Sequence, residues 1–478
     1  MVLGLKGLVE KMKETDSKTR IVQSARKLFW KKGYQATKYG EICEAANVNR
    51  GTMHFYFKGK RKIAQQIFFV AYHGAEDILH DNMDISEDMF GLCLLYNEMM
   101  EKLVNKKVLQ FLVESESQKN RIEGNRVQQI IENAAIAVFN KFLVPYLPKV
   151  SKEEVYYLAS VWCGMRDYVP EMYYRGGMLE TPEKLVEDML RYLLVFWKLP
   201  ADEIEEKIKS VKRYYEKGHL YVGEDFFVHF HSGQPESLRE NAFSVDARKQ
   251  LLEQVEQWSI YKSTMSEAKQ KILQAAYLLF WNKGYEHTSY KDIAQTAGEN
   301  EGLITYYFQT KSNLAGWIYD DMCMQIEQRI EELYGKESIW IREMLKIVVV
   351  FQVFGMEGNV GTFLYGFRTD LKFFDYRTMS TMKRILYAQD NTEESVKRNF
   401  EELVTFMDGI NIELFLGYYV GYLQNILRDG IVEYVFRILT IEYSKEILEE
   451  DYARVKEIYK NIKIEVKEPF QVELFEAE

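Results

Sequence analysis

Residues 18–64 read KTRIVQSARKLFWKKGYQATKYGEICEAANVNRGTMHFYFKGKRKIA, and residues 269–315 read KQKILQAAYLLFWNKGYEHTSYKDIAQTAGENEGLITYYFQTKSNLA. The two stretches align without a gap at an offset of 251 residues, and 20 of the 47 positions are identical. The matches include Phe29-Trp30 with Phe280-Trp281, Gly33-Tyr34 with Gly284-Tyr285, Thr37 with Thr288, and Tyr56-Phe57 with Tyr307-Phe308. Chance does not produce such a run, so the chain is an internal duplication, each copy about 200 residues plus a connector.

Each copy has its own local logic. Ile21, Ala25, Leu28 and Phe29 make one apolar helical face. Gly33 stops that helix in a left-handed C-cap. Thr37 sits where an N-cap belongs and opens a short helix through about Ala46. Asn47-Val48-Asn49 makes a tight turn, and Arg50 to Phe57 forms a third helix. Two short helices joined by a tight turn make a helix-turn-helix, which places its last helix in the DNA major groove. A fourth helix is expected from Arg61 to about His80.

The remaining composition agrees with an all-α chain. The protein has 478 residues, only 28 Gly and 7 Pro, and 47% hydrophobic residues, which argues against a loop-rich or all-β fold. Six prolines precede residue 240, so the second half is expected to be almost uninterrupted helix. Cys43, Cys93, Cys163 and Cys323 stand far apart, as reduced buried thiols of a cytoplasmic protein do. The N-terminal apolar stretch is too short for a signal peptide, and runs such as Ile347–Phe354 and Leu414–Leu423 are too short to span a bilayer, so no membrane partner is expected. No Ser-His-Asp order, HExxH, Walker loop or Rossmann fingerprint occurs; an enzyme is not expected, nor is a cofactor.

The pattern Phe29, Gly33, Tyr34, Thr37, Ile42, Ala46, Val48, Gly51, Tyr56, Phe57 and Lys60 resembles the N-terminal domain of TetR-type transcriptional regulators. The resemblance covers about 47 residues in each copy. It implies two TetR-like units, each a helix-turn-helix DNA-binding domain plus a larger helical ligand-binding and dimerisation domain. The expected boundaries are 15–72, 73–217, a connector 218–265, 266–321, 322–461 and a tail 462–478. The implied partners are a double-stranded DNA operator and a small-molecule effector of unknown identity. The operator would be read by a pseudo-dimer within the chain or by a homodimer. The implied function is a ligand-responsive repressor, against the alternative of an interaction or ligand-sensing protein of the same fold that has left DNA behind.

Positions implied to touch DNA are Thr37, Lys38, Asn49, Arg50, Thr52, His54, Tyr56, Lys58, Lys60 and Arg61, with Thr288, Asn300, Thr305, Tyr307 and Lys311 as second-copy counterparts. Charge separates the copies. The net formal charge of the whole chain is -10, which excludes a uniformly basic nucleic-acid binder. Yet residues 17–64 hold 12 Lys and Arg against two acids, while residues 268–315 hold five Lys against four acids. Phosphate neutralisation supplies most non-specific DNA affinity, so the first copy is equipped for DNA and the second scarcely. Glu299 and Glu301 stand at the turn and helix start of the second copy, where they repel phosphate.

Beyond the duplicated headpieces, Ala201 to Tyr215 reads as a charged closing helix, and Asp246 to Trp258 as an amphipathic one. Residues 220–235 and 462–474 alternate polar and apolar, and the two are expected to pair with each other as a short β-ribbon. His229 and His231 share one strand face near His219, but surface histidines are commoner than a metal site, so no metal is expected. Gly355, Gly358 and Gly361 read as a helix junction. Aromatic-rich helices in the larger domains could line an effector site, with Trp162, Arg166, Phe363 and Arg368 as candidates, beside Phe373, Phe374 and Tyr376.

Overall fold

The structure is a computed structural model and describes residues 17–72, 74–116, 136–146, 150–174, 180–224, 226–234, 265–354, 356–367 and 445–476. By packing, the chain divides into two units. One comprises Met1–Glu123, Glu180–Leu190 and Glu205–Ala242, the other Gly124–Leu179, Arg191–Ile204 and Phe243–Glu478. The expected helix Asp246–Trp258 lies outside the described residues, as do Arg368, Phe373, Phe374 and Tyr376.

The first unit opens with helix α1 (Ser17–Lys32), whose buried stripe is Ile21, Val22, Ala25 and Phe29. Gly33 ends it at φ +85°, and a Cβ there would come 3.0 Å from the Gln110 amide nitrogen. Helices α2 (Tyr39–Ala45) and α3 (Arg50–Tyr56) follow, joined by a turn in which Asn47 takes φ +50°. Asparagine is among the few side chains that tolerate this conformation. The expected N-cap at Thr37 is corrected. Helix α2 begins two residues later, and the Lys38 amide donates to the Glu41 carboxylate at 2.7 Å. Thr37 is buried instead, with Oγ1 donating to the Gly33 carbonyl at 2.7 Å, so its hydroxyl closes the turn and leaves the helix end to its neighbour.

The expected fourth helix is two. Helix α4 (Lys60–Tyr72) stops short of Gly74, which takes φ +89°, and α5 (Ala75–Asn82) starts afresh. The chain continues in this unit through α6 (Glu87–Val104) and α7 (Lys106–Glu116); a π-turn (Phe139–Leu143) and α8 (Lys152–Tyr174) count with the other unit, and α9 (Pro182–Phe196) is divided between the two. The charged helix expected after residue 200 is α10 (Ala201–Lys217). It passes without a loop into strand β1 (Gly218–Val222), antiparallel to β2 (Val228–Ser232).

The second unit repeats the opening with α11 (Glu267–Lys283), α12 (Tyr290–Ala297), α13 (Glu301–Phe308) and α14 (Lys311–Tyr334). Here the fourth helix is continuous. Helices α15 (Ile339–Phe354) and α16 (Asn359–Phe367) meet at Gly358, φ +81°, where the sequence places a junction. Helix α17 (Lys445–Asn461) runs directly into β3 (Ile462–Lys467), paired antiparallel with β4 (Gln471–Glu476). The expected ribbon between residues 220–235 and 462–474 is therefore corrected: each segment is a hairpin folded on itself. A tight turn closes each hairpin locally, at lower entropic cost than a pairing between distant segments. All four cysteines are buried and free, and among the described residues no helix is long and apolar enough to cross a membrane.

Helix α6 satisfies the outer edge of the first hairpin. The Leu220 amide donates to Asn97 Oδ1 and the Val222 amide to Glu101 Oε1, both at 2.8 Å. Asn105 also donates to Glu101, at 2.7 Å. Burial outweighs these donors and pushes the Glu101 carboxyl up to about 7. A carboxyl held above its ordinary value in the folded state takes up a proton that the unfolded chain releases, so this group stabilises least at high pH. Stability attributable to Glu101 declines as pH rises from about 4.5 to about 7. We predict that Glu101→Gln, which keeps the acceptor, removes this component: urea unfolding at pH 8 shows the variant equal to or more stable than wild type by on the order of 1–2 kcal/mol, with the gap closing or reversing at pH 5.

Candidate nucleic-acid interface

Helix α3 is built to present one face outward. Asn49 caps it, its Oδ1 accepting from the Thr52 amide at 2.8 Å. Met53 and Phe57, four residues apart, point into the core. That leaves Arg50, His54 and Phe55 exposed, with Thr52 and Tyr56 half-buried at the margins. Phe55 is 82% exposed, an unusual position for so large an apolar ring, and stands edge-on to Tyr56 at 5.1 Å between centroids. Sequence reasoning passed over Phe55, although the inward spacing of Met53 and Phe57 already assigns it to the outer face. Lys38, Lys58 and Lys62 are exposed around the same helix, and Arg61 is half-buried.

Other expected contacts turn inward. The Lys60 ammonium donates to the carbonyls of Tyr34 at 2.6 Å, Thr37 at 2.9 Å and Gln35 at 3.4 Å, and lies 4.1 Å from the centre of the Tyr34 ring. Burial lowers its pKa. It ties the start of α4 to the carbonyls of the turn behind α1. Lys311 does the same in the second copy, donating to Tyr285 and Thr288 at 2.9 and 3.0 Å, 4.3 Å from the Tyr285 ring centre. Thr288 is buried and donates to Gly284 at 2.8 Å, matching Thr37. Lys32 pairs with Glu41 at 2.6 Å, and Lys283 with Asp292 at 3.3 Å, again at matching positions.

The model of the family "Bacterial regulatory proteins, tetR family" matches residues 21–67 and 272–316, the same two helix-turn-helix segments. The chain carries two TetR-type regulator domains. A probable HTH-type transcriptional regulator, YttP of Bacillus subtilis (strain 168), is 34% identical over 91 residues, 19% of this chain and 44% of that protein. The biofilm operon icaADBC HTH-type negative transcriptional regulator IcaR of Staphylococcus aureus (strain Newman) is 23% identical over 115 residues, 24% of this chain and 61% of that protein. The chain thus spans about half the length of the curated relatives it matches. Among solved structures, a gamma-butyrolactone receptor (ArpA-like protein) aligns at 18% identity and TM-score 0.27, over 41% of this chain and 95% of that one. TylP, a TetR regulator from Streptomyces fradiae, aligns at 16% identity and TM-score 0.27, over 41% and 97%.

The two TetR-type headpieces share a frame and differ in their outer charge. In the second, Asn300 caps α13 by accepting from the Gly302 amide at 2.8 Å, and Gly298 takes φ +67° where the first has Asn47. Thr305 is exposed, Tyr307 half-buried, and Tyr306, the counterpart of Phe55, is 73% exposed. Four of its five lysines are committed elsewhere. Lys269 is buried 4.6 Å from the Trp317 ring centre, Lys271 pairs with Glu267 at 2.7 Å and lies 3.9 Å from Glu299, Lys283 holds Asp292, and Lys311 turns inward. Among the described residues of this headpiece, Lys291 is the one exposed lysine outside an ion pair. Glu301 is exposed at the helix start, where the first headpiece has Arg50.

Packing places three of the ligand-site candidates in the interior. Phe363 is fully buried among Phe280, Phe367 and Phe470, at 5.6, 5.8 and 4.6 Å, so its ring belongs to the core. Arg166 is buried and donates to its neighbour Asp167 at 2.9 Å. Trp162 is fully buried, and its indole N–H has no acceptor among the described residues.

The inward lysines give a direct test. Removing the ammonium takes a charged donor from these half-buried carbonyls, and a hydrogen bond to a charged group contributes about 1.5–3 kcal/mol. We predict that Lys60→Met and Lys311→Met each lower unfolding stability by that order in urea titration, whereas Arg50→Ala changes it by less than about 0.5 kcal/mol.

Proposed function

We propose that the chain is a DNA-binding transcriptional regulator, acting as a repressor, in which the first headpiece carries the DNA affinity. The observation that carries this reading is the outer face of α3, where Arg50 and His54 stand exposed beside Lys38, Lys58 and Lys62. Arginine can read a guanine edge through two hydrogen bonds or clamp a phosphate, and the surrounding lysines neutralise the backbone. Asn49 acts as the cap that fixes where α3 begins, and Thr37 and Lys60 hold the frame; these three serve DNA binding through geometry. Phe55 offers an apolar surface suited to a thymine methyl group. The Staphylococcus aureus relative is a negative transcriptional regulator, which supports the sign of regulation.

The second headpiece keeps the frame but presents Glu301 and one exposed lysine, Lys291, which favours a scaffold role. On this reading a homodimer presents two first-copy headpieces to a two-fold operator. We further propose a small effector bound in the helical domains, with the Trp162 indole N–H as a donor to it. Binding there would favour one headpiece arrangement over another and so release DNA.

The test is fluorescence anisotropy on a site recovered by in vitro selection, repeated across salt concentrations. We expect Arg50→Ala and Lys58→Ala each to weaken binding and to reduce the salt slope by about 1 per lost phosphate contact. Lys291→Ala should leave both unchanged. Failure of the full chain to select any site would refute the regulator reading, and an equal loss from Lys291→Ala would refute the assignment of affinity to the first headpiece.

A further inference from the structure

The two closing segments, residues 201–231 and 445–475, also align without a gap, at an offset of 244 rather than 251. Glu205-Glu206 matches Glu449-Glu450, Val211-Lys212 matches Val455-Lys456, and Tyr215 matches Tyr459. In the hairpins Val222, Phe226 and Val228 match Val466, Phe470 and Val472. The strand registers agree with that alignment: Val222 pairs with Val228, and Val466 with Val472. In both copies a 17-residue helix runs straight into the hairpin. The segment expected to be a connector is thus, through about Ser232, the closing element of the first copy.

Both hairpin tips do the same thing. Phe226 and Phe470 take φ +58° and +60°, a backbone region that a bulky side chain rarely adopts. Such strain persists where the surroundings fix the residue. Both rings are buried. Phe226 meets the Trp30 ring of α1 edge-on at 5.0 Å and 87°, and Phe470 meets Trp281 of α11 at 5.1 Å and 89°. Each also packs on a ring behind the headpiece, Phe111 of α7 at 4.7 Å and Phe363 of α16 at 4.6 Å. Those rings in turn pack on Phe29 and Phe280, each at 5.6 Å.

The hairpins are themselves anchored to the helical body. In the first copy Asn97 and Glu101 hold β1. In the second, Gln325 of α14 accepts from the Val472 amide at 2.7 Å, and Arg329 donates to the Leu474 carbonyl at 2.9 Å. A sequence of rigid parts therefore runs from closing helix to hairpin to tip phenylalanine to the first headpiece helix.

We infer that Phe226 and Phe470 are positioning residues, each fixing its own headpiece to the helix that closes its copy. They touch no DNA; they set the angle at which the reading helix is offered. For the DNA consequence this rests on the regulator reading above, whereas the clamp itself does not.

The test uses the full chain. Spin labels go on cysteines replacing exposed Lys27 of α1 and exposed Lys209 of α10, since the four native cysteines are buried. Phe226→Ala and the milder Phe226→Leu are compared with Val211→Ala, a buried α10 position outside the hairpin tip that controls for lost stability. We expect both Phe226 variants to broaden the label distance distribution, with Phe226→Leu intermediate, and Val211→Ala to leave it narrow. Affinity for the selected two-half-site operator should fall about tenfold in Phe226→Ala, with binding to an isolated half-site and the salt slope unchanged. A distribution that stays narrow in both Phe226 variants, or broadens equally in Val211→Ala, overturns the inference. If no operator is selected, the regulator reading fails and the distance measurement alone decides the clamp.

Discussion

Each headpiece depends on one inward-facing, half-buried cation. The ammonium of Lys60, and of Lys311 in the second copy, gathers carbonyls of the turn that follows the first helix, those of Tyr34 and Tyr285 also accepting from the Thr37 and Thr288 amides. Three chain segments meet there: the C-terminus of α1, the approach to α2 and the start of α4. An ammonium has three donors and no acceptor, so it suits a cluster of carbonyls better than any neutral side chain. The tyrosine ring beneath it adds a cation–π contact. With that point fixed, Gly33 can turn at positive φ, Thr37 can close the turn, and α3 is held at a set angle to α1.

The same constraint explains why a count of charges overstated the DNA surface. Twelve cations lie between residues 17 and 64, but Lys60 faces carbonyls, Arg26 is buried 4.0 Å from the Phe227 ring centre, and Arg20 donates to the Ala46 carbonyl. The asymmetry between copies survives this correction, because most of the second copy's lysines are committed too. Charge is legible in a sequence; its direction is not. A lysine beside a helix start reads as a phosphate ligand until the carbonyls it faces are seen.

The headpieces themselves were legible because their pattern is dense: helix-stopping glycine, inward Met53 and Phe57, and a cap three residues before the amide it accepts from. The short span of α2 and the inward role of Thr37 were not, since a threonine before a helix looks the same whether it caps or closes a turn. The hairpins were seen as strands but given the wrong partners, because alternation marks a strand without naming its mate. The extent of the repeat was missed for a different reason. The intervening helical domains differ in length by seven residues, which shifts the closing segments off the register that reveals the headpieces. Their matches are also sparse, scattered over the closing helix and the hairpin.

The interruption at Gly74 gives the copies unlike mechanics. In the second, α14 runs unbroken from the headpiece lysine at 311 to Tyr334, and Gln325 and Arg329 along it grip the hairpin. A continuous helix resists bending along its length, so that headpiece is braced by a strut as well as by its hairpin. In the first, the helix beginning at Lys60 ends at Tyr72 and a left-handed glycine separates it from the next. There the strut is interrupted, and the basic headpiece is held by the hairpin tip together with α7, where the Gln35 amide donates to Glu114 at 2.8 Å and Phe111 packs on Phe29. Duplication has thus produced one member with a continuous strut and one with an interrupted helix from the same plan, and the interrupted one bears the positive charge.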